Sequence, residues 1–242
     1  MMPGMVKLPG SIAACLFDLD GVLTDTARVH ERAWKETFDA FLRDRLGDGF
    51  APFTEEDYER YVDGKPRYDG VRSFLEARGI EHDEQLVHEL GDRKNELVLR
   101  LIDEQGVVVY ESSVRFVREA QRQGLRRAVV SSSANTRQVL ERVGIADLFE
   151  ARIDGVVVEQ QGLRGKPAPD TFLAGARALG VEPAHAAVFE DALAGVEAGR
   201  AGHFGLVVGV DRTGQADALR AHGADIVVQD LGELVGDEAK AS

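Results

Sequence analysis

Six short apolar runs punctuated by helical patterns set the tightest limit on what this chain can fold into. They lie at residues 12–17, 128–130, 151–153, 187–189 and 206–208, with a shorter one at 226–228. The first is flanked by turn residues and reads as a buried strand ending at Phe17 or Asp18. Between most runs, apolar residues recur at helical spacing: Val114, Val117 and Ala120; Val139, Leu140 and Val143; Phe172, Ala176 and Leu179. Strands alternating with helices predict an α/β fold with a doubly wound, Rossmann-like parallel sheet.

Residues 26–106 break that rhythm. Trp34, Phe38, Phe41, Leu42 and Leu46 fall on one side of a long amphipathic pattern, and shorter helical patterns follow at 55–61, 68–77 and 85–102. No strand pattern is present, so an all-helical cap domain (26–106) is expected to be inserted into a core of residues 1–25 plus 107–242. Hinges are expected near 24–27 and 105–110, and the polar tail after Leu234 is expected to fray. A length of 242 residues accommodates this plan.

Lys and Arg number 29 against 42 Asp and Glu, a formal net charge of −13. That balance argues against non-specific binding to nucleic acid or to an anionic membrane, and an anionic substrate would need local cations and a metal to reverse the field. Cys15 is the only cysteine, so no intrachain disulfide forms; it reads as a buried small hydrophobe. The first apolar run is too short to span a bilayer and no signal-peptide pattern precedes it, which makes a cytoplasmic monomer the expectation.

Asp18 and Asp20 follow the first strand directly. If strand geometry continued through Asp20, both would lie on one side of the chain, at a strand end where such sheets bind ligands. Asp residues in an ordinary turn account for the pair equally well. Three further signals sit at other strand ends. Ser131, Ser132, Ser133 and Asn135 lead into a helix, as a phosphate cradle or as an N-cap run. Lys166 precedes Pro167 and Pro169, either as a ligand-binding amine or as a loop lysine before a proline-initiated helix. Glu190 and Asp191 add two more carboxylates. Hard oxygen donors at this density suit Mg²⁺, whereas zinc lacks its usual Cys and paired-His ligands.

These four segments resemble the four motifs of the haloacid dehalogenase-like superfamily, in the order used where a helical cap separates the first two. Within it the chain is similar to the β-phosphoglucomutase family. Residues 17–27 with His30 and Trp34 look like that family's first stretch, and Gly64-Lys65-Pro66-Arg67-Tyr68-Asp69 matches its cap loop. Arg93-Lys94-Asn95 and Lys166-Pro167-Ala168-Pro169-Asp170 match as well. The resemblance implies Asp18 as nucleophile, Asp20 as general acid/base, and Mg²⁺ held by Asp18, the Asp20 carbonyl, Glu190 and Asp191. It further implies Ser131 and Lys166 on the transferring phosphoryl group and Arg67 on the other phosphate. His30, Trp34 and Lys94 would support cap closure and the position of Asp20. The chain departs from the family at Asp63 and Ala134, where lysines are expected, and at Glu111-Ser112, where a Pro-Gly turn is expected. Lys65 is a candidate to supply the missing positive charge. The implied activity interconverts β-glucose 1-phosphate and glucose 6-phosphate through the 1,6-bisphosphate; the alternative is a sugar-phosphate phosphatase that resolves the same aspartyl-phosphate with water.

Overall fold

The computed structural model describes residues 5–47 and 49–236. Six parallel strands form one sheet in the order β3-β2-β1-β4-β5-β6: β1 Ala14–Phe17, β2 Arg126–Val130, β3 Ala151–Ile153, β4 Ala186–Glu190, β5 Leu206–Val210 and β6 Ile226–Val228. All six coincide with the apolar runs. The helices in chain order are α1 Ala27–Leu46, α2 Glu55–Asp57, α3 Arg67–Ala77, α4 Glu84–Gln105, α5 Glu111–Arg122, α6 Thr136–Arg142, α7 Gly155–Gln161, α8 Asp170–Leu179, α9 Leu193–Ala201 and α10 Ala216–His222.

The pleat explains why β1 is apolar throughout. Ala14 and Leu16 of β1 face one side, where Phe172 and Ala176 of α8 and Val196 of α9 cover them. Cys15 and Phe17 face the other, among Phe116 and Val117 of α5 and Val139 and Leu140 of α6. With both faces covered, every position of β1, β4 and β5 is buried, and period-two alternation of polar residues disappears there. Phe17 stacks on Phe189 of β4 at 4.7 Å between ring centroids, which fastens the two central strands together.

The insertion between β1 and β2 is helical. Its own core gathers Trp34, Phe38 and Leu42 of α1 with Val71, Phe74 and Leu75 of α3 and Val87 and Leu90 of α4. Phe41 is only partly buried and Leu46 is 58% exposed, because the helix end runs past this cluster. The base of α4, with Val98, Leu101 and Ile102, joins the cluster on the sheet, and α5 packs there wholly. The two connecting segments run side by side: Thr24 bridges Val109 antiparallel, and Asp25 N–H donates to the Val108 carbonyl at 2.9 Å.

The chain just beyond Leu234 does not fray at once. Val235 bridges Val6, and Gly236 N–H donates to the Met5 carbonyl at 2.7 Å. The rest of the expected loose tail lies outside the described residues. Among the described residues, no helix is long and apolar enough to cross a membrane.

Candidate active site

In a sheet of this order, the connections leaving β1 and β4 run in opposite directions, which opens a crevice at their carboxyl ends. Asp18 follows β1, Glu190 ends β4, Asp191 follows it, and Ser131 follows β2. Lys166, from the loop before α8, reaches under all of them. Its ammonium donates to Asp18 Oδ1 at 2.7 Å, Glu190 Oε1 at 2.5 Å and the Val130 carbonyl at 3.2 Å. Three donors meet three acceptors, which is what a fully buried ammonium requires.

Strand geometry stops at Phe17, contrary to the simple extrapolation through Asp20. A turn intervenes, with Gly21 N–H donating to the Thr24 carbonyl at 2.7 Å. Gly21 has φ +83°, and a Cβ there would lie 1.7 Å from Asp191 Oδ2, so no larger residue leaves room for that carboxylate. The turn gives Asp18 and Asp20 different neighbours. The Asp20 carboxylate accepts from Thr26 Oγ1 and from Ser131 Oγ at 3.4 Å, and it lies 3.7 Å from His30 Nε2. Thr26 occupies the N-cap position of α1, yet its hydroxyl makes no capping bond. It serves Asp20 instead. Nothing in the type or spacing of Thr26 marks it out in the sequence.

His30, Trp34 and Lys94 meet beside Asp20. Lys94 Nζ lies 2.8 Å from His30 Nδ1 and 4.6 Å from the centre of the Trp34 ring. An ammonium has no lone pair, so Nδ1 accepts, and the imidazole proton sits on Nε2 facing Asp20. Burial, and then the Lys94 charge, push the His30 pKa down to about 4. Burial likewise lowers Lys94 to about 7.

Asp18, Glu190 and Asp191 place one oxygen each within 4.8 Å of one another, all buried. Burial drives the carboxyls of Asp18 and Asp191 up, with Glu190 and Asp20 adding to the effect; Lys166 opposes it at Asp18. Among the described residues no cation pairs with Asp191. Three hard oxygens with one ammonium between them leave negative charge that a divalent cation fits, and the donor set excludes a soft metal. The Asp20 carboxylate stands outside this group, which leaves its carbonyl as the expected contribution.

A cavity of about 420 Å³ opens above, floored by Asp18, Asp20 and Asp191 and roofed by residues 62–69. Gly64, at φ +69°, lets the roof loop press onto Ala192, to which a Cβ would come within 3.0 Å. Ser132 Oγ donates to the Gly64 carbonyl at 2.6 Å, and Asn135 Nδ2 donates to Asn95 Oδ1 of α4 at 2.9 Å. These two side chains, read from sequence as parts of a phosphate cradle, fasten the cap to the core. Ser131 and Ser133 shape the loop, with Ser133 N–H donating to Ser131 Oγ at 3.1 Å.

Arg67 lines the cavity. Its Nη2 donates to Tyr68 Oη at 2.9 Å and lies 3.5 Å from Asp92 Oδ1. Lys65 does not stand free as the compensating cation. Its ammonium is turned onto Ser73 Oγ at 2.9 Å and the Arg60 carbonyl at 3.4 Å, both within the cap. Asp63 lies at the roof's edge, where burial raises its carboxyl pKa to about 7. Tyr58 also borders the cavity; a lone tyrosine in a helical pattern carried no signal in the sequence.

The sequence model of the haloacid dehalogenase-like hydrolase family matches residues 12–203. A β-phosphoglucomutase of Mycobacterium bovis is 52% identical over 96% of this chain and 94% of its own length. One from Bacillus subtilis is 33% identical, covering 91% of each chain. A solved β-phosphoglucomutase structure from Clostridium difficile superposes with a TM-score of 0.76 at 28% identity, over 92% of this chain and 93% of that one.

Proposed function

The chain belongs to the haloacid dehalogenase-like hydrolase family, and from that premise we propose that it is a β-phosphoglucomutase. It interconverts β-D-glucose 1-phosphate and D-glucose 6-phosphate through an aspartyl-phosphate and the 1,6-bisphosphate. The observation that carries the reading is the 52% identity to a β-phosphoglucomutase over 96% of the chain, together with two carboxylates in separate surroundings at one sheet edge.

Asp18 is the nucleophile. Its carboxylate attacks phosphorus, and the Lys166 ammonium bonded to it offsets negative charge on the nucleophile and on the phosphoryl oxygens. Asp20, held between Thr26, Ser131 and His30, gives a proton to the departing sugar oxygen and takes one from the incoming hydroxyl. Mg²⁺, held by Asp18, Glu190, Asp191 and the Asp20 carbonyl, would neutralise the phosphoryl oxygens when bound. Arg67 takes the phosphate that is not being transferred, exchanging its contact with Asp92 for a bidentate one. The Ser132–Gly64 and Asn135–Asn95 bonds hold the cap closed over the reacting groups.

The test is to supply β-glucose 1-phosphate, catalytic bisphosphate and Mg²⁺, following glucose 6-phosphate and free phosphate together. Glucose 6-phosphate in large excess is expected. Phosphate release with no glucose 6-phosphate would give the chain to the phosphatases.

A further inference from the structure

A second hollow lies against the acidic triad. It measures about 210 Å³ and sits on the far side of Asp191, between the loop after β1, the α2 region of the cap and the loop of Arg212. Tyr58, Asp63 and Asp191 border both this hollow and the substrate cavity. The geometry points to Tyr58 and Asp63 as the wall that keeps water from the aspartyl-phosphate, and so as the pair that decides whether a sugar hydroxyl or water receives the phosphoryl group. The inference rests on the aspartyl-phosphate reading above.

The pair is joined through the backbone. Tyr58–Val62 is a single π-helical turn, closed by Asp63 N–H donating to the Tyr58 carbonyl at 2.9 Å. Burial, and then the nearby Asp63 charge, push the phenol well above its usual range, so the hydroxyl stays protonated. The next residue, Gly64, is latched to the core through Ser132. The wall is thereby fixed at its cap end and at its core end.

The outer hollow reaches solvent through Arg28, Glu55 and Thr213, all exposed. Glu31 and Glu59 line it, and burial and the nearby Glu55 charge raise both. A rim of this sign repels a sugar phosphate and leaves water unhindered. Water that passed the wall would bond through oxygen to phosphorus. The bond from phosphorus to the Asp18 oxygen would break with its electron pair returning to the carboxylate, the water proton would pass to Asp20, and inorganic phosphate would leave.

Tyr58→Phe keeps the ring and loses the hydroxyl from the wall, and Tyr58→Ala removes the wall. Phosphoenzyme formed from acetyl phosphate, with no sugar present, is quenched in acid at intervals and its mass followed. Decay is expected to quicken about three-fold in Tyr58→Phe and about ten-fold in Tyr58→Ala. Free phosphate per glucose 6-phosphate should rise in the same order in the mutase assay. Circular dichroism and the thermal midpoint establish that each variant is folded; should Tyr58→Ala fail to fold, wild type against Tyr58→Phe decides. Unchanged decay in folded variants overturns the inference. Wild-type protein that never makes glucose 6-phosphate overturns the mutase reading instead, while the decay comparison still reads the wall.

Discussion

Asp18 and Asp20 stand two residues apart and are held for different work. Asp18 is buried against an ammonium, and Asp20 rests among hydroxyls and an imidazole. Asp18→Asn should abolish turnover and leave the fold intact, because an amide forms no acyl-phosphate. Acid-quenched mass spectrometry should find the wild-type phosphate on Asp18 and none on the variant. His30 carries a pH signature. Its pKa falls from 6.5 to about 4 on folding, chiefly through burial and then through Lys94. Between those values the unfolded chain binds a proton that the native state refuses, so stability is lost as pH falls from 6.5 towards 4. His30→Gln, which cannot titrate, should flatten that part of the profile, removing up to about 3 kcal/mol of pH dependence. Denaturant titrations of both proteins at pH 4.5 and 6.5 measure it. The residues nearest the chemistry were legible because several acids at strand ends stand with a lysine in one ordered set. The lysine itself lies not at the expected strand end but between α7 and α8. Thr26, Tyr58 and the turned-away Lys65 were not legible, since their roles depend on which neighbour a hydroxyl or ammonium meets.

At the scale of elements, the sheet was the most readable part. Burial on both faces leaves β1, β4 and β5 almost wholly apolar, and such runs stand out from the helices around them. The cap helices were legible by period, but the pattern at 55–61 did not show its division into α2 and the turn at Tyr58–Val62, because a single π turn has no repeat of its own. That turn is preceded by a capping box. Thr54 Oγ1 accepts from Asp57 N–H at 3.1 Å, and Asp57 Oδ2 accepts from Thr54 N–H at 2.9 Å. Arg78 adds a bond to the same Asp57 oxygen at 2.6 Å, tying the segment to the end of α3. Thr54→Ala should therefore cost about 1 kcal/mol, read as a lower midpoint in thermal or urea unfolding. The measurement isolates the element, because Thr54 lies outside the cavity.

At the scale of the whole molecule, cap and core must act together on a substrate with two anionic ends. The chain carries −13 overall, so the cations that face the cavity are few and their loss is costly. Arg67→Ala should lower bisphosphate-dependent mutase turnover by about 100-fold, since a charged contact is lost from a closed site. Hydrolysis of acetyl phosphate, which has no second phosphate to grip, should fall much less. The ratio of the two activities in variant and wild type is the measurement, and equal losses would assign Arg67 to the fold or to the shared step. Sequence could place Arg67 on the cap loop but could not show Asp92 drawing its guanidinium, because that partner comes from α4. The position of β1 has a consequence during synthesis. It leaves the ribosome before its neighbours β2 and β4, which begin at Arg126 and Ala186. The insertion's own core draws on residues 34–90 alone and is complete earlier. The nascent chain must therefore carry its central strand unpaired while a finished helical unit emerges behind it, and the catalytic edge closes only when Glu190 and Asp191 have been made.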